Sequence, residues 1–446
     1  MRTAATRFFG EYGMLAVLIL LCVYYSVVTL TEQNPTGADA GRAVATTLLD
    51  TSPAGSGVFV ATRPGAEGSA FSNAITASLA GSEVSVAGTA QGDPAAVRQA
   101  LETLAQTGTR IDYIATTRDF ANVLSAVTSR IPAYRQTEIV TPRSYLWPTF
   151  LLANNLRNVA NQIVVIAIIA VGMTMVIITA GIDLSVGSLI ALSAVAAAWL
   201  IQAMGGASAG IGVMLVASLA ATLMCGAVGL FSGLMITRFK IPPFIATLAV
   251  MQVASGLAYI ISSGESIYDI PGSFVWLGRG SDFLSIPNAV VLMVAIYGLA
   301  HVLMTRTTLG RYIYAVGGNP EAARLSGIRV NGVLVFVYVV SGLMAGLGGI
   351  VLASQLKSGA PTYGLMYELY VIAAVVVGGT SLAGGEGRIL GTLIGAFIIG
   401  VIQNGMNLTG VESYTQKVVL GLVILGAVLL DMLKKRNWPR RKLATA

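Results

Sequence analysis

The sequence predicts an all-α polytopic membrane protein of about ten transmembrane helices, with a small α/β extracytoplasmic domain inserted in it. Three observations carry that prediction. Of 446 residues, 55% are hydrophobic and only 11% charged, and the mean hydropathy is +0.77; soluble globular domains are far more polar. Apolar runs of roughly 18 or more residues, enough to cross a hydrocarbon core of about 30 Å as helices, recur along the chain. Between the first two runs the composition shifts, for about a hundred residues, to that of a water-soluble domain.

Helices are expected because a bilayer offers the backbone no water. The spans fall near 14–30, 162–180, 185–203, 210–236, 243–262, 287–304, 331–354, 369–379, 389–408 and 416–433, the eighth short and bounded by glycine. The first is read as a retained anchor, because no small-residue cleavage pattern follows it before "TEQNPTG". Four regions result: 1–31, a cytoplasmic start and first span; 32–142, the inserted domain; 143–433, the membrane core; and 434–446, a basic tail.

Within the insertion, "GVFVAT", "SEVSVAGTA", "IDYIATT" and "TEIVTP" read as strands separated by helical patterns near 68–80, 93–107 and 118–129. Asp93 followed by Pro94 is a strong helix start. Alternating strands and helices imply a parallel sheet with helical cover. If the domain holds a ligand, the place is the carboxyl ends of the strands, near Arg63 or Thr116 to Asp119. The competing reading is a docking or spacing module without a pocket.

The formal charge of +7 does not call for nucleic acid. Arg2, Arg7, Arg238, Lys240, Arg306, Arg311, Arg324, Arg329, Arg388, Lys434 to Arg436 and Arg440 to Lys442 fall on one side of a ten-span chain. That distribution marks the side as cytoplasmic, with both termini there and 32–142 on the opposite side. Cys22 and Cys225 lie in spans and read as packing residues. The lone His301 has no Cys or acidic cluster near it, so no metal is expected.

Two stretches interrupt the apolar pattern. In "ITAGIDLSVGSLIALSAV", Gly181, Asp183, Ser185 and Gly187 break a run that would otherwise be one helix. Asp183 either caps a helix starting at Leu184 or helps frame a solute path, as broken helices do in transporters. "VVVGGTSLAGGEGRILGTLIGAFIIGVIQNG" repeats the pattern, with Gly379 to Gly384 echoing Gly181 to Val186. Paired interruptions suggest an internal repeat with a site between its halves, and close helix packing through glycine is the simpler use. Gly379, Ser381, Gln252, Gln403 and Asn404 join the first four residues as candidates for the path. No phosphate-binding G-x-x-x-x-G-K-[ST] loop occurs, so no ATP site is expected on this chain.

A third motif, "GGNPEAARLSGIRV", lies between two spans. Asn319 can cap a short helix, Pro320 fits its first turn, Glu321 meets the positive end of its dipole, Arg324 the negative end, and Gly327 stops it. Together, "VGMTMVIITAGIDLSVGS", "GRYIYAVGGNPEAARLSGI" and "VVVGGTSLAGGEGRILGTLIGAFIIG" resemble the permease subunits of bacterial ABC importers of the ribose, xylose and galactose type. The resemblance covers the chain outside the insertion, where this sequence departs from the family. It implies a permease paired with a second permease subunit, a copy of itself or a different chain, two ATPase subunits on separate chains, a periplasmic solute-binding protein, and no cofactor of its own. It also implies that residues 319–327 form the coupling helix that docks on the ATPase, with Ala322, Ala323 and Leu325 as contact surface and Glu321 and Arg324 at the rim.

A sugar or similar small polar solute is the expected cargo, with nucleosides and amino acids as rivals. A membrane sensor would need a cytoplasmic output domain, for which the tail after Leu433 is too short. An embedded enzyme would need a catalytic constellation in or beside the spans, and no HExxH and no clustered acidic pair occurs.

Overall fold

The computed structural model describes residues 4–442, with side chains for 13–429 and 432. Arg2 and the side chains of Arg7, Lys434 to Arg436 and Arg440 to Lys442 lie outside the described residues. The chain divides into two compact units: Leu30–Thr149, and the remainder on either side of it.

The first helix, α1 (Ala4–Val28), belongs to the larger unit. The smaller unit follows as β1 (Leu30–Gln33), α2 (Gly37–Thr51), β2 (Gly57–Thr62), α3 (Ala66–Leu79), β3 (Ser85–Gln91), α4 (Pro94–Gln106), β4 (Tyr113–Thr116), α5 (Arg118–Thr128), β5 (Glu138–Val140) and β6 (Tyr145–Pro148). Strands β3-β2-β4-β5 form one parallel sheet in that order. All six residues of β2 are buried, as a central strand covered on both faces requires. Val58 and Val60 face a core built with Val44, Leu48, Phe71 and Ile75, while Phe59 and Ala61 face one built with Val97, Leu101, Phe120 and Leu124. Antiparallel pairing of β1 with β6, Leu30 opposite Pro148 and Gln33 opposite Tyr145, closes the unit where the chain enters and leaves it. This ribbon is why the unit is wider than the 32–142 read from composition.

The larger unit continues through α6 (Ala153–Ile178), α7 (Val186–Ala203), α8 (Ile211–Arg238), α9 (Pro243–Ile261), α10 (Trp276–Arg279), α11 (Asn288–Arg306), α12 (Thr308–Gly318), α13 (Pro320–Leu325), α14 (Val330–Leu356), α15 (Tyr367–Val377), α16 (Ile389–Leu408) and α17 (Ser413–Lys442). Among the described residues seven helices, α6, α7, α8, α9, α11, α14 and α16, are long and apolar enough to cross a membrane. Shorter apolar helices occupy Gly13–Val28, Tyr367–Val377 and Ser413–Leu429. The unit is thus a mostly helical, polytopic membrane bundle.

Helix α6 is its hub: 89% of its apolar window is buried, against 28% for α8, α9 and α11. Those three leave apolar faces open, as helices bordering lipid do. Helix α14 crosses α8 at close range, since Gly229 and Gly342 let the backbones meet without side chains between them. Cys225 is buried at this crossing, and both cysteines are free.

Candidate functional site

Helix α6 ends in a two-bond stop. The N–H of Gly181 donates to Val176 O (3.0 Å) and that of Ala180 to Ile177 O (2.9 Å), with Ala180 in the left-handed region at φ 60°. The chain then doubles back beside the helix it has left. Gly181 lies against the Tyr338 hydroxyl and Val176. Asp183, 1% exposed, reaches Ser341 on α14, whose backbone abuts Gly172 on α6. Gly172 precedes the end of α6 by roughly 9 Å of helix. Helix α7 therefore starts inside the bundle.

Asp183 does not cap a helix at Leu184, because α7 begins at Val186. Its Oδ1 accepts from the Ser185 N–H (3.0 Å) and Ser185 Oγ (2.6 Å), while Oδ2 accepts from Ser341 Oγ (2.7 Å). Three donors and no cation hold this carboxylate, which ties the interruption to α14. Gly187 lies in the first turn of α7, under the carboxylate of Glu368.

The second interruption has the same stop. Gly379 N–H donates to Val376 O (2.9 Å) and Thr380 N–H to Val375 O (3.2 Å), with Gly379 at φ 90°. Position 379 therefore corresponds to Ala180, one residue off the echo with Gly181 drawn from the sequence. Helix α14 ends similarly at Lys357 (φ 54°), with the Ser358 N–H on Ala353 O (3.2 Å). A third interruption, residues 357–366, thus separates α14 from α15. The sequence separates the spans 331–354 and 369–379 there, so the segment reads as an ordinary loop; that it runs back along α7 shows only in the contacts of Gly359 and Gly364.

The interruptions at 179–185 and 379–388 meet each other and the end of α12. The Gly385 N–H donates to Ile178 O, an open carbonyl at the end of α6 (2.8 Å). A β-carbon on Gly317 would collide with that same carbonyl oxygen, and one on Gly384 would come within 2.8 Å of Gly317 O and 2.9 Å of Ala180 Cβ. Ser381 Oγ accepts from the Ala383 N–H (3.2 Å), holding the second turn in shape. Thr174 and Thr392 hydroxyls pair at 2.7 Å just beyond.

From this junction α13 projects outward. Asn319 Oδ1 accepts from the N–H groups of Glu321 and Ala322, both at 3.0 Å, and Pro320 occupies the first helical position. Gly327, at φ 83°, ends the helix, with Ile328 N–H on Ala323 O and Gly327 N–H on Arg324 O, both at 3.0 Å. Arg324 and Glu321 pair at 2.9 Å, and Leu325 is 89% exposed. Ala322 is exposed as well, but Ala323 turns inward and is buried, so it cannot belong to a contact surface.

The remaining path candidates are not brought to the junction. Asn404 forms a reciprocal amide pair with Asn155 (2.9 and 3.1 Å), joining α16 to the start of α6. Gln403 is half-buried beside it, and Gln252 is exposed on α9. In the smaller unit Arg63 bridges to Asp119 (3.1 Å) and lies over the Phe120 ring, which joins the ends of β2 and β4. Among the described residues no group of His, Cys, Asp and Glu could hold a metal ion.

Such a bundle, with interrupted helices locked to the element that carries one exposed, capped helix, fits a transport subunit. Residues 155–428 match the family model described as branched-chain amino acid transport system / permease component, and the chain belongs to that family of ABC importer permeases. It is 46% identical over 297 residues to the ribose import permease protein of Escherichia coli (strain K12), covering 66% of this chain and 90% of the relative. The ribose import permease protein of Bacillus subtilis (strain 168) is 47% identical over 293 residues, 65% of this chain and 88% of that one. The D-allose transport system permease protein of Escherichia coli (strain K12) is 38% identical over 284 residues, 64% of this chain and 85% of that one. No solved structure gives a significant match.

Proposed function

We propose that this permease carries a sugar, or a similar small polar solute, into the cytoplasm as one of two identical membrane subunits. Two ATPase subunits on separate chains dock on α13, and a periplasmic binding protein delivers the solute. The observation that carries the reading is the joint at Gly317: the end of α12, which leads directly into the capped, exposed α13, stands against both the end of α6 and the turn at Gly384 and Gly385. A push on α13 from a docked partner would reach the interrupted segments through the end of α12, which is what shifting between inward- and outward-facing states requires. Ribose and allose are the solutes named for relatives at 38–47% identity, which favours a sugar over the amino acids of the family description.

The three shorter apolar helices complete ten spans, with the α13 end on the cytoplasmic side, where the sequence gathers its arginines. On that topology Leu30–Thr149 stands in the periplasm, directly after the first span, where it contacts the binding protein or takes over part of its role. The path runs past Gly181, Asp183, Ser185, Gly187, Gly379 and Ser381, with Gln252, Gln403 and Asn404 nearer its outer course.

The test is purification in mild detergent of the parent and of the Glu321→Arg, Arg324→Glu double variant. The double variant keeps the mutual ion pair and inverts the charges that a partner meets. An ATPase accompanying the parent and lost from the variant is the expected result. An ATPase retained by both removes α13 from the coupling role, and none in either case removes the ATP-driven reading.

A further inference from the structure

Helices α7 and α15 both start inside the bundle, and their starts touch. The segment 357–366 runs alongside α7, since a β-carbon on Gly359 would come within 2.6 Å of Ala198 Cβ and one on Gly364 within 2.8 Å of Ile190 Cβ. It delivers Glu368, in the first turn of α15, onto Gly187 in the first turn of α7, where a β-carbon would strike the carboxylate. The depth follows from helix length. Helix α15 has 11 residues and finishes where Gly378 abuts Gly391 and Thr392, at the start of α16. At 1.5 Å per residue, Glu368 is about 14 Å in from that end, near the middle of a core of about 30 Å.

A carboxylate at that depth needs a cation, a set of donors or water. Asp183 has its donors; Glu368 has no ion-pair partner among the described residues and is only half-buried. The chain leaves the surrounding turn open, with Leu365 79% and Leu369 40% exposed. Lipid on this carboxylate is excluded by cost, and the protein covers it only in part.

We propose that Glu368 stands in a water-filled part of the solute path, at the junction of the two half-helices, and accepts hydrogen bonds from the hydroxyl groups of a neutral, polyhydroxylated solute. The assignment of the solute rests on the importer reading above; the aqueous position of the carboxylate does not. A single anionic acceptor with no fixed cation beside it suits hydroxyl donors and repels carboxylate-bearing solutes. Because it holds only part of the solute's shell, it lets the solute leave again.

Two measurements on the full chain test this. In a parent carrying Cys22→Ala and Cys225→Ala, Glu368→Cys is exposed to a charged, water-soluble methanethiosulfonate in native membranes, with Leu219→Cys on the open face of α8 as comparison. The expected result is modification about tenfold faster for Glu368→Cys, since a thiol in water ionises and one in lipid does not. Equal rates overturn the proposal. In uptake of labelled D-ribose and D-allose, Glu368→Gln and Glu368→Leu are expected to lower the maximal rate by about tenfold or more while half-saturation, set by the delivering protein, stays put. Full-rate uptake by Glu368→Leu also overturns it. If the parent moves neither sugar while the labelling contrast holds, the sugar reading falls and the aqueous carboxylate stands.

Discussion

Asp183 is the side chain on which the first interruption depends. It is buried, has three donors, and links residues 158 positions apart in sequence through Ser341. Asp183→Ala strands two hydroxyls and an N–H, at a cost of about 1–3 kcal/mol each before relaxation. Asp183→Asn keeps one acceptor oxygen and lets the Ser341 hydroxyl rotate to accept instead, so the loss is smaller. Thermal unfolding of the detergent-purified protein should rank parent, then Asn, then Ala, and identical midpoints would show the network to be idle. A second carboxylate, Asp112 in the smaller unit, carries a pH signature. The Gly57 N–H on its Oδ2 (3.0 Å) holds its carboxyl below the usual range, burial opposes this, and Arg110 Nε on Oδ1 (2.7 Å) adds to it. A depressed value stabilises the fold above the unfolded value of about 3.9 and is lost as pH falls through the folded value. Hydrogen exchange at β2 in the full chain should therefore be faster in Asp112→Asn than in the parent at neutral pH, with the gap closing below about pH 4. That Asp183 mattered could be read from its place in an apolar run. Its partner could not, because nothing in the sequence relates Ser341 to it.

The helices differ in how far their sequence announces them. All the instructions for α13 are local: Asn319 for the cap, Pro320 for the first turn, Gly327 for the stop. Each does in the structure what its chemistry suggests. Which face of α13 turns inward was not legible, since six residues are too few for a hydrophobic period, and Ala323 went to the wrong side. The break between α14 and α15 was legible as a loop between two spans, but its stop was not: the left-handed residue is Lys357, which advertises no such conformation. Glu368 did carry a signal, a single acid at the head of "YELYVIAAVVV", and was passed over as a span boundary. The joint between α12 and the interruptions gives a sharper test. Gly317→Ala has no space for its methyl against Ile178 O, whereas Gly318→Ala, one residue on, meets nothing within 4 Å. The first should reduce folded protein severely or uncouple ATP hydrolysis from uptake, and the second should behave as the parent does. Comparable uptake by both would show that the joint is slack.

For the molecule as a whole, apolar run lengths revealed a membrane protein and the composition shift revealed a separate polar unit. Its sheet order and bounding ribbon rest on pairings between strands far apart in sequence. On the bundle side, Thr29 Oγ1 accepts from the Phe150 N–H (3.1 Å); on the other, β1 and β6 pair through Gln33 opposite Tyr145. Replacing residues 34–144 by Asn-Gly should therefore close a two-residue hairpin without disturbing the helices. The shortened chain is expected to insert and bind its ATPase normally, and uptake should fall if the unit handles solute delivery. Unchanged uptake would make the unit a spacer, and failure to insert would show that the bundle leans on it. The paired ribbon also acts as a fuse. With entry and exit zipped together, the cost of closing a loop of more than a hundred residues is met locally and grows only slowly with length. The unit can consequently lengthen, melt or be exchanged over evolutionary time, and the chain on either side of it registers only a hairpin.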